Sequence, residues 1–206
     1  MTIRTTFPAI AALALTAASS PAATFTDETA WRAGVGNVWS QDNFEDYSNP
    51  QSLTSIPALG LTLDALTNGA LPTVRSVFSV GGQSQTGPNV LLNGPAFPGN
   101  GVMTLRPDSG LVYALGYWNV GGDDRTRLAF HRANGTTIES VDTAVGLPNN
   151  KGFQGLVSAE GAAYVTITPI AGNGWISIDD LQVAVPAPGA GGVLALAGVG
   201  LLRRRR

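Results

Sequence analysis

The feature that most restricts the possible folds is a succession of short segments of alternating apolar and polar residues, broken repeatedly by Gly, Pro and Asn. The 206 residues include 26 glycines and 13 prolines, which favour turns over long helices. Leu111, Tyr113, Leu115 and Tyr117 alternate onto one face of a strand. This pattern predicts an all-β, jelly-roll-like antiparallel β-sandwich. Strands are predicted at residues 38–47, 59–64, 73–80, 101–105, 111–117, 126–132, 136–142, 153–158, 162–168 and 175–185.

One short amphipathic helix is predicted near the start of the domain, over residues 25–32. Thr26 or Asp27 would cap it, and the glycines at 34 and 36 would end it. The side chains expected to pack on a sheet are Phe25, Ala30 and Trp31.

Two connections can also be read from the sequence. Ala133-Asn134-Gly135 predicts a tight hairpin, because Asn-Gly tolerates positive φ at both central positions. Residues 81–100 are polar and rich in Gly and Pro, so they predict a loop that caps one end of the sandwich.

The N-terminus has the layout of a secretory signal peptide over residues 1–23. Arg4 provides a basic region, residues 7–18 an apolar one, and small residues allow cleavage after Ala22 or Ala23. We therefore expect the protein to be exported through the action of signal peptidase.

Residues 24–184 are long enough for one domain with a sizeable core. Arg4 and the four C-terminal arginines lie outside this domain. It therefore contains seven of the 12 basic residues and all 14 acidic ones, and its net charge is negative. An acidic domain without a basic stripe is a poor nucleic-acid binder, which excludes that class of partner. The chain has no cysteine, so no disulfide can stabilise the exported domain.

The C-terminal residues 185–206 combine a Pro-rich motif, an uncharged apolar run at 191–202 and a basic end. An uncharged run followed by arginines is typical of a membrane segment with a cytoplasmic basic end. A buried helix is disfavoured, because it would rarely end in four arginines. The motif residues are Val185, Pro186, Ala187, Pro188, Gly189 and Ala190, and the basic residues are Arg203, Arg204, Arg205 and Arg206.

This tail resembles the PEP-CTERM sorting signal, which directs bacterial surface proteins to an exosortase. The motif is the VPAPGA-like variant, with Ala187 where that family usually has its glutamate. The resemblance implies a transmembrane sorting helix, transient anchoring in the inner membrane and an exosortase-type partner. The final location would be the cell surface or the extracellular matrix.

Two acidic motifs occur at opposite ends of the domain, Glu45-Asp46 early and Asp179-Asp180 late. The apolar parity of the last strand switches between Ile178 and Leu181, which predicts a bulge that turns an acid inward. Buried carboxylates need a partner, and Ca²⁺ prefers oxygen ligands. The alternative is that these acids cap turns or face solvent.

The pairing of FED early with IDDL late resembles MAM-like and carbohydrate-binding-module-like jelly rolls. In such folds an early and a late acid often hold a structural calcium ion. Carried over by position, the resemblance makes Glu45 and Asp180 the first candidate ligands, with Asp46 and Asp179 second.

A glycine-rich acidic loop follows Trp118 and suggests a calcium or sugar contact. The alternative is an ordinary strand connection with a surface Asp-Arg pair. His131 is the only histidine, and the sequence contains no G-x-S-x-G, HExxH or P-loop motif. The candidate ligand-binding residues are Tyr117, Trp118, Asp123, Asp124 and Arg125.

These features favour a non-enzymatic, exported structural or adhesive module, with glycan as the expected ligand by fold analogy. Two alternatives stay open. One is a small polysaccharide hydrolase or lyase with paired carboxylates. The other is a protein-binding module of the matrix.

Overall fold

The computed structural model describes residues 22–36, 39–80, 83–94, 101–121, 125–143, 151–171 and 174–184. These residues form a helix α1 (Glu28–Val35), a short helix α2 (Val77–Val80), a 3₁₀ turn (Pro57–Leu59) and two antiparallel sheets. The strands are β1 (Ala23–Phe25), β2 (Trp39–Asp42), β3 (Gln51–Ser52), β4 (Ser55–Ile56), β5 (Leu61–Leu63), β6 (Thr73–Ser76), β7 (Asn89–Leu92), β8 (Met103–Pro107), β9 (Val112–Asn119), β10 (Arg125–His131), β11 (Thr137–Asp142), β12 (Gly152–Ala162), β13 (Tyr164–Ala171) and β14 (Ser177–Ala184). The predicted all-β, antiparallel architecture is confirmed.

The eight-stranded sheet, called sheet A, has the order β1-β12-β9-β14-β7-β6-β3, and β2 also pairs with β14. The six-stranded sheet, called sheet B, has the order β11-β10-β13-β8-β5-β4. The last strand of the domain therefore lies inside sheet A, where it joins β9 to both β7 and β2. Both sheets are therefore formed in part by pairing of strands that are far apart in the chain.

The main core lies between the two sheets and is built from the inward side chains of alternating strands. Leu115 of β9 and Ile178 of β14 meet Leu128 and Phe130 of β10 in one buried cluster. The predicted alternation of β10 is confirmed, because Leu128 and Phe130 are buried while Arg127 is exposed on the opposite face.

Helix α1 covers part of the outer face of sheet A. Asp27 is its N-cap and accepts a 2.8 Å hydrogen bond from the backbone N–H of Ala30, and Gly36 is its C-cap. Trp31 is fully buried against Phe153, as predicted for its sheet-facing side. Phe25 lies in β1 and packs against the same cluster, whereas the third predicted contact differs, because the Ala30 side chain is exposed.

Several predicted strand limits are wrong for local reasons. The strand predicted at residues 38–47 ends at Asp42, whose carboxylate accepts the backbone N–H of Phe44 at 2.8 Å. Phe44 then takes a positive φ of 62°, which turns the chain away from the sheet. The loop predicted at residues 81–100 contains β7, whose four residues are all buried.

The predicted hairpin between β10 and β11 is confirmed, with a different turn. Gly135 takes a φ of 87° and donates a 2.9 Å hydrogen bond to the carbonyl of Arg132. Asn134 is not among the residues with positive φ, and its side-chain oxygen accepts the backbone N–H of Thr136 instead. A register shift at Phe130/His131 accommodates this longer turn.

Candidate functional site

The late acidic pair lies in a bulge of β14, as the parity switch predicted. Asp179 lies opposite Trp118 of β9, but Gln182 lies opposite Gly116, so β14 carries one extra residue here. Asp180 takes a left-handed φ of 49°. Both aspartates are buried, with exposures of 0% and 3%. They therefore need partners inside the protein.

Asp179 binds three backbone N–H groups. Its Oδ2 accepts hydrogen bonds from Gln85 at 2.7 Å and Thr86 at 2.8 Å, and its Oδ1 accepts one from Asp180 at 2.7 Å. Gln85 and Thr86 belong to the connection between β6 and β7, so Asp179 holds this connection against sheet A. Burial raises the pKa of the Asp179 carboxyl to about 7, against the lowering effect of the N–H donors, and the charge of Asp180 adds to the rise.

Asp180 connects the same segment to β2. Its Oδ1 accepts hydrogen bonds from the Gln41 amide at 2.6 Å and from the Thr86 hydroxyl at 2.7 Å. The ion pairs among the described residues use other acids, namely Glu28, Asp64, Asp142 and Glu160. No ion pair in this part of the chain therefore neutralises the buried aspartates.

Glu45 contacts the same segment. Its Oε1 accepts the backbone N–H of Asn89 at 2.8 Å. Gly87 makes this approach possible, because a Cβ on it would lie 2.2 Å from the Glu45 carboxyl carbon. The early acid and the late acid therefore contact the same connection, each through different residues of it, whereas Asp46 is exposed.

Two carboxylates of the chain contact neighbouring residues of one connection, and carboxylate oxygens are ligands that a hard cation prefers. Glu45 lies in the cradle left by Gly87, and Asp180 contacts Thr86 next to it. The described residues contain no group of three or more Asp, Glu, His or Cys side chains that could hold a metal. A calcium ion here would therefore need main-chain carbonyl or water oxygens to complete its coordination.

Two of the predicted ligand-binding residues have structural roles. Tyr117 is fully buried, so its assignment as a ligand contact is wrong: it shares its face with Leu115, and its hydroxyl contacts Thr126 at 2.9 Å and Gln154. Burial raises the pKa of the Tyr117 hydroxyl. The Arg125 guanidinium donates two hydrogen bonds to the carbonyl of Thr143. Asp123 and Asp124 lie outside the described residues.

Trp118 lies under helix α1. Its Nε1 donates a 3.1 Å hydrogen bond to Glu28, and its ring packs edge-on against Phe153. The Trp118 side chain is half-buried. It packs against the apolar cluster that contains Trp31 and Phe153, and also against a second apolar cluster, on which Trp175 packs as well. Trp118 therefore connects these two apolar clusters on the outer face of sheet A.

The sequence did not indicate the outer face of sheet B as a site. His131 stacks on Tyr164 of β13 with ring centroids 4.7 Å apart, and the guanidinium of Arg106 on β8 lies 4.8 Å from the Tyr164 ring centroid. The next row across the sheet contains Ala129, Thr166 and Thr104. Alternation assigned His131 to this face, but only strand pairing shows which side chains stand beside it.

No protein-family model matches the sequence, and no curated protein matches it. Similar solved structures include the K2 cleaved adhesin domain of Lys-gingipain, with 16% identity and a TM-score of 0.48 over 71% of this chain and 99% of that one. The family 22 carbohydrate binding module of Clostridium thermocellum Xyn10B has 16% identity and a TM-score of 0.40 over 73% and 95% of the two chains. TmCBM61, in complex with β-1,4-galactotriose, has 13% identity and a TM-score of 0.37 over 61% and 88%.

The predicted targeting segments fall largely beyond the described residues. Residues 1–21 and the sorting tail at 185–206 lie outside them, and Ala23 is the first residue of β1. None of the helices in the described ranges has the length and apolar character needed to span a bilayer.

With a chelator present, the full-length protein is expected to lose stability as the pH rises from about 4 to about 7. Asp179 keeps its proton in the folded state up to a pKa of about 7, whereas its ordinary value is 3.8. The stabilisation of the folded state by the protonated Asp179 carboxyl is therefore complete below the unfolded pKa. It is lost as the pH rises through the folded pKa. The loss is at most roughly 4 kcal/mol, since one pKa unit corresponds to about 1.4 kcal/mol.

The measurement is the melting temperature against pH for the wild type and for Asp179→Asn. Burial lowers the pKa of His131, which gives a slope of opposite sign, so the difference between the two proteins isolates Asp179. Identical slopes in the two proteins would contradict the role given to this carboxyl.

Proposed function

We propose that this chain is an exported, non-catalytic module of the cell surface or extracellular matrix that acts by binding glycan. The observation that carries the non-catalytic part of the proposal is the structural role of the acidic pair Asp179 and Asp180. Asp179 and Asp180 are buried in the β14 bulge and hold the β6–β7 connection through hydrogen bonds. A glycosidase acid pair must instead reach substrate and water.

The two outer faces of the sandwich support a binding role. On sheet A, helix α1 and the β6–β7 connection cover the central strands. On sheet B, Arg106 and Arg127 have side-chain exposures of 48% and 49%, and threonines lie between them. A rigid, hydroxyl-rich sheet face suits a ligand that is itself covered with hydroxyl groups.

We propose a structural role for calcium in this module. Glu45 and Asp180 would hold the ion, and its charge would offset the buried carboxylates that lack an ion-pair partner in the described part of the chain. The ion would fix the β6–β7 connection on sheet A.

We propose that signal peptidase removes the leader and that an exosortase-type enzyme processes the tail. The layout of residues 1–23 and of the VPAPGA-like tail supports this proposal. Because β14 ends at Ala184 and lies inside sheet A, tail cleavage beyond that residue would leave the sandwich whole.

The test is retention of the full-length protein, kept soluble in mild detergent, on immobilised neutral and acidic polysaccharides. We expect saturable retention on at least one polysaccharide and no release of reducing or unsaturated sugar during long incubation. Retention on none of them would refute the glycan-binding function. Sugar release that Asp180→Asn abolishes without lowering the melting temperature would establish the hydrolase or lyase alternative instead.

A further inference from the structure

The outer face of sheet B carries a row of small side chains across three adjacent strands, between two rows of larger side chains; this row and its borders are called the trough. Its floor is the row in which Ala129 of β10 pairs with Thr166 of β13, and Thr166 with Thr104 of β8. Ala129 has the smallest side chain of this row, and the larger side chains beside it leave it 5% exposed. The threonines beside it are half-buried.

Larger side chains border the floor on both sides. One border is the stacked row of His131, Tyr164 and Arg106. The other is the row in which Arg127 pairs with Thr168. These borders are four residues apart along the strands, which corresponds to about 13 Å, and the three strands span about 10 Å in the other direction. At the level of the backbone, these spacings are larger than a sugar ring.

The charges of the trough favour a neutral ligand. The Arg127 guanidinium is paired with Asp142 at 2.6 Å, and the Arg106 guanidinium with Asp64 at 2.9 Å. An anionic polymer would have to compete with these carboxylates, whereas a neutral ligand can use the remaining N–H donors of the paired guanidinium groups.

The aromatic border favours hydrogen bonding over stacking. The ring of Tyr164 has His131 against it at 4.7 Å and Arg106 at 4.8 Å, so these two side chains occupy its neighbourhood in the row. His131 is fixed by a 2.8 Å hydrogen bond between its Nε2 and the Thr166 hydroxyl. Because the side chains of His131, Tyr164 and Arg106 already hold one another in place, they can hydrogen-bond a ligand with little loss of side-chain entropy.

We infer that a neutral glycan chain binds across sheet B in this trough, with its hydroxyl groups hydrogen-bonded to the threonines of the floor. The inference rests on the glycan-binding function proposed above and gives it a site and a ligand class. It places the ligand on the sheet opposite the acidic bulge, so binding at sheet B and calcium at sheet A are separate properties.

The experiment measures the affinity of full-length variants, in mild detergent, for a panel of neutral polysaccharides. Ala129→Arg places a large side chain in the floor of the trough on β10. Thr104→Arg does the same on β8, on the other side of β13. Ala30→Arg is the matched control, because Ala30 is exposed on helix α1 over sheet A and accepts an arginine without strain. The melting temperature of each variant shows whether it is folded.

We expect at least one neutral polysaccharide to bind the wild type, and each folded trough variant to lose about tenfold or more in affinity. Ala30→Arg should bind like the wild type. A wild type that binds neutral glycan while both folded trough variants keep its affinity would overturn the site but leave the proposed function intact. Binding of acidic polysaccharides alone would overturn the ligand class, and binding of none would refute the proposed function itself.

Discussion

Free calcium is expected to raise the melting temperature of the full-length protein, and a chelator is expected to lower it. Glu45 and Asp180 contact neighbouring residues of the β6–β7 connection, and a cation held by both would bind only the folded state. At a calcium concentration about 100 times the dissociation constant, such a site adds about 2.7 kcal/mol to the free energy of unfolding. In a domain of this size that corresponds to a shift of about 5–10 °C.

The variants Asp180→Asn and Glu45→Gln should abolish the calcium-dependent shift. Both keep the size of the side chain, and asparagine tolerates the left-handed backbone that Asp180 adopts. Asp46→Asn is the control, because Asp46 is exposed beside Glu45 and should leave the shift unchanged. A shift that survives in Asp180→Asn, or one that disappears in Asp46→Asn, would disprove this assignment of ligands.

Sequence patterns were informative wherever a local rule determines the structure. The parity switch around Asp179 predicted a bulge, because alternation with period two cannot continue through an inserted residue. The cap at Asp27 and the hairpin at residues 133–135 follow from equally local chemistry. The Tyr117 assignment was wrong although its signal was present, since Tyr117 shares a face with Leu115 of the core.

The trough on sheet B could not be predicted, because it depends on which strands become neighbours. Ala129, Thr166 and Thr104 are adjacent only after β10, β13 and β8 have paired in register. Nothing local to any one of these residues encodes that register. The end of β2 at Asp42 was missed for a different reason, since an aspartate side chain there competes with the ladder for a backbone N–H.

The contact between helix α1 and sheet A should show strong coupling between Gly155 and Trp31. A Cβ on Gly155 would lie 2.3 Å from the Trp31 ring, so the buried indole needs a glycine beneath it. Trp31→Ala is expected to cost about 3–5 kcal/mol through the cavity it leaves. Gly155→Ala is expected to cost about 1–3 kcal/mol through overpacking.

The double variant tests the cause of the second effect. Once Trp31 is replaced by alanine, the atom that collides with the new Cβ is gone, so Gly155→Ala should become much less damaging. We expect the double variant to be more stable than the sum of the single effects predicts, by about 0.5–3 kcal/mol, as for residues in direct contact. Urea unfolding of the four proteins followed by circular dichroism gives this value. Additive effects would mean that Phe153, whose ring lies 2.9 Å from the same Cβ position, and not Trp31, requires the glycine.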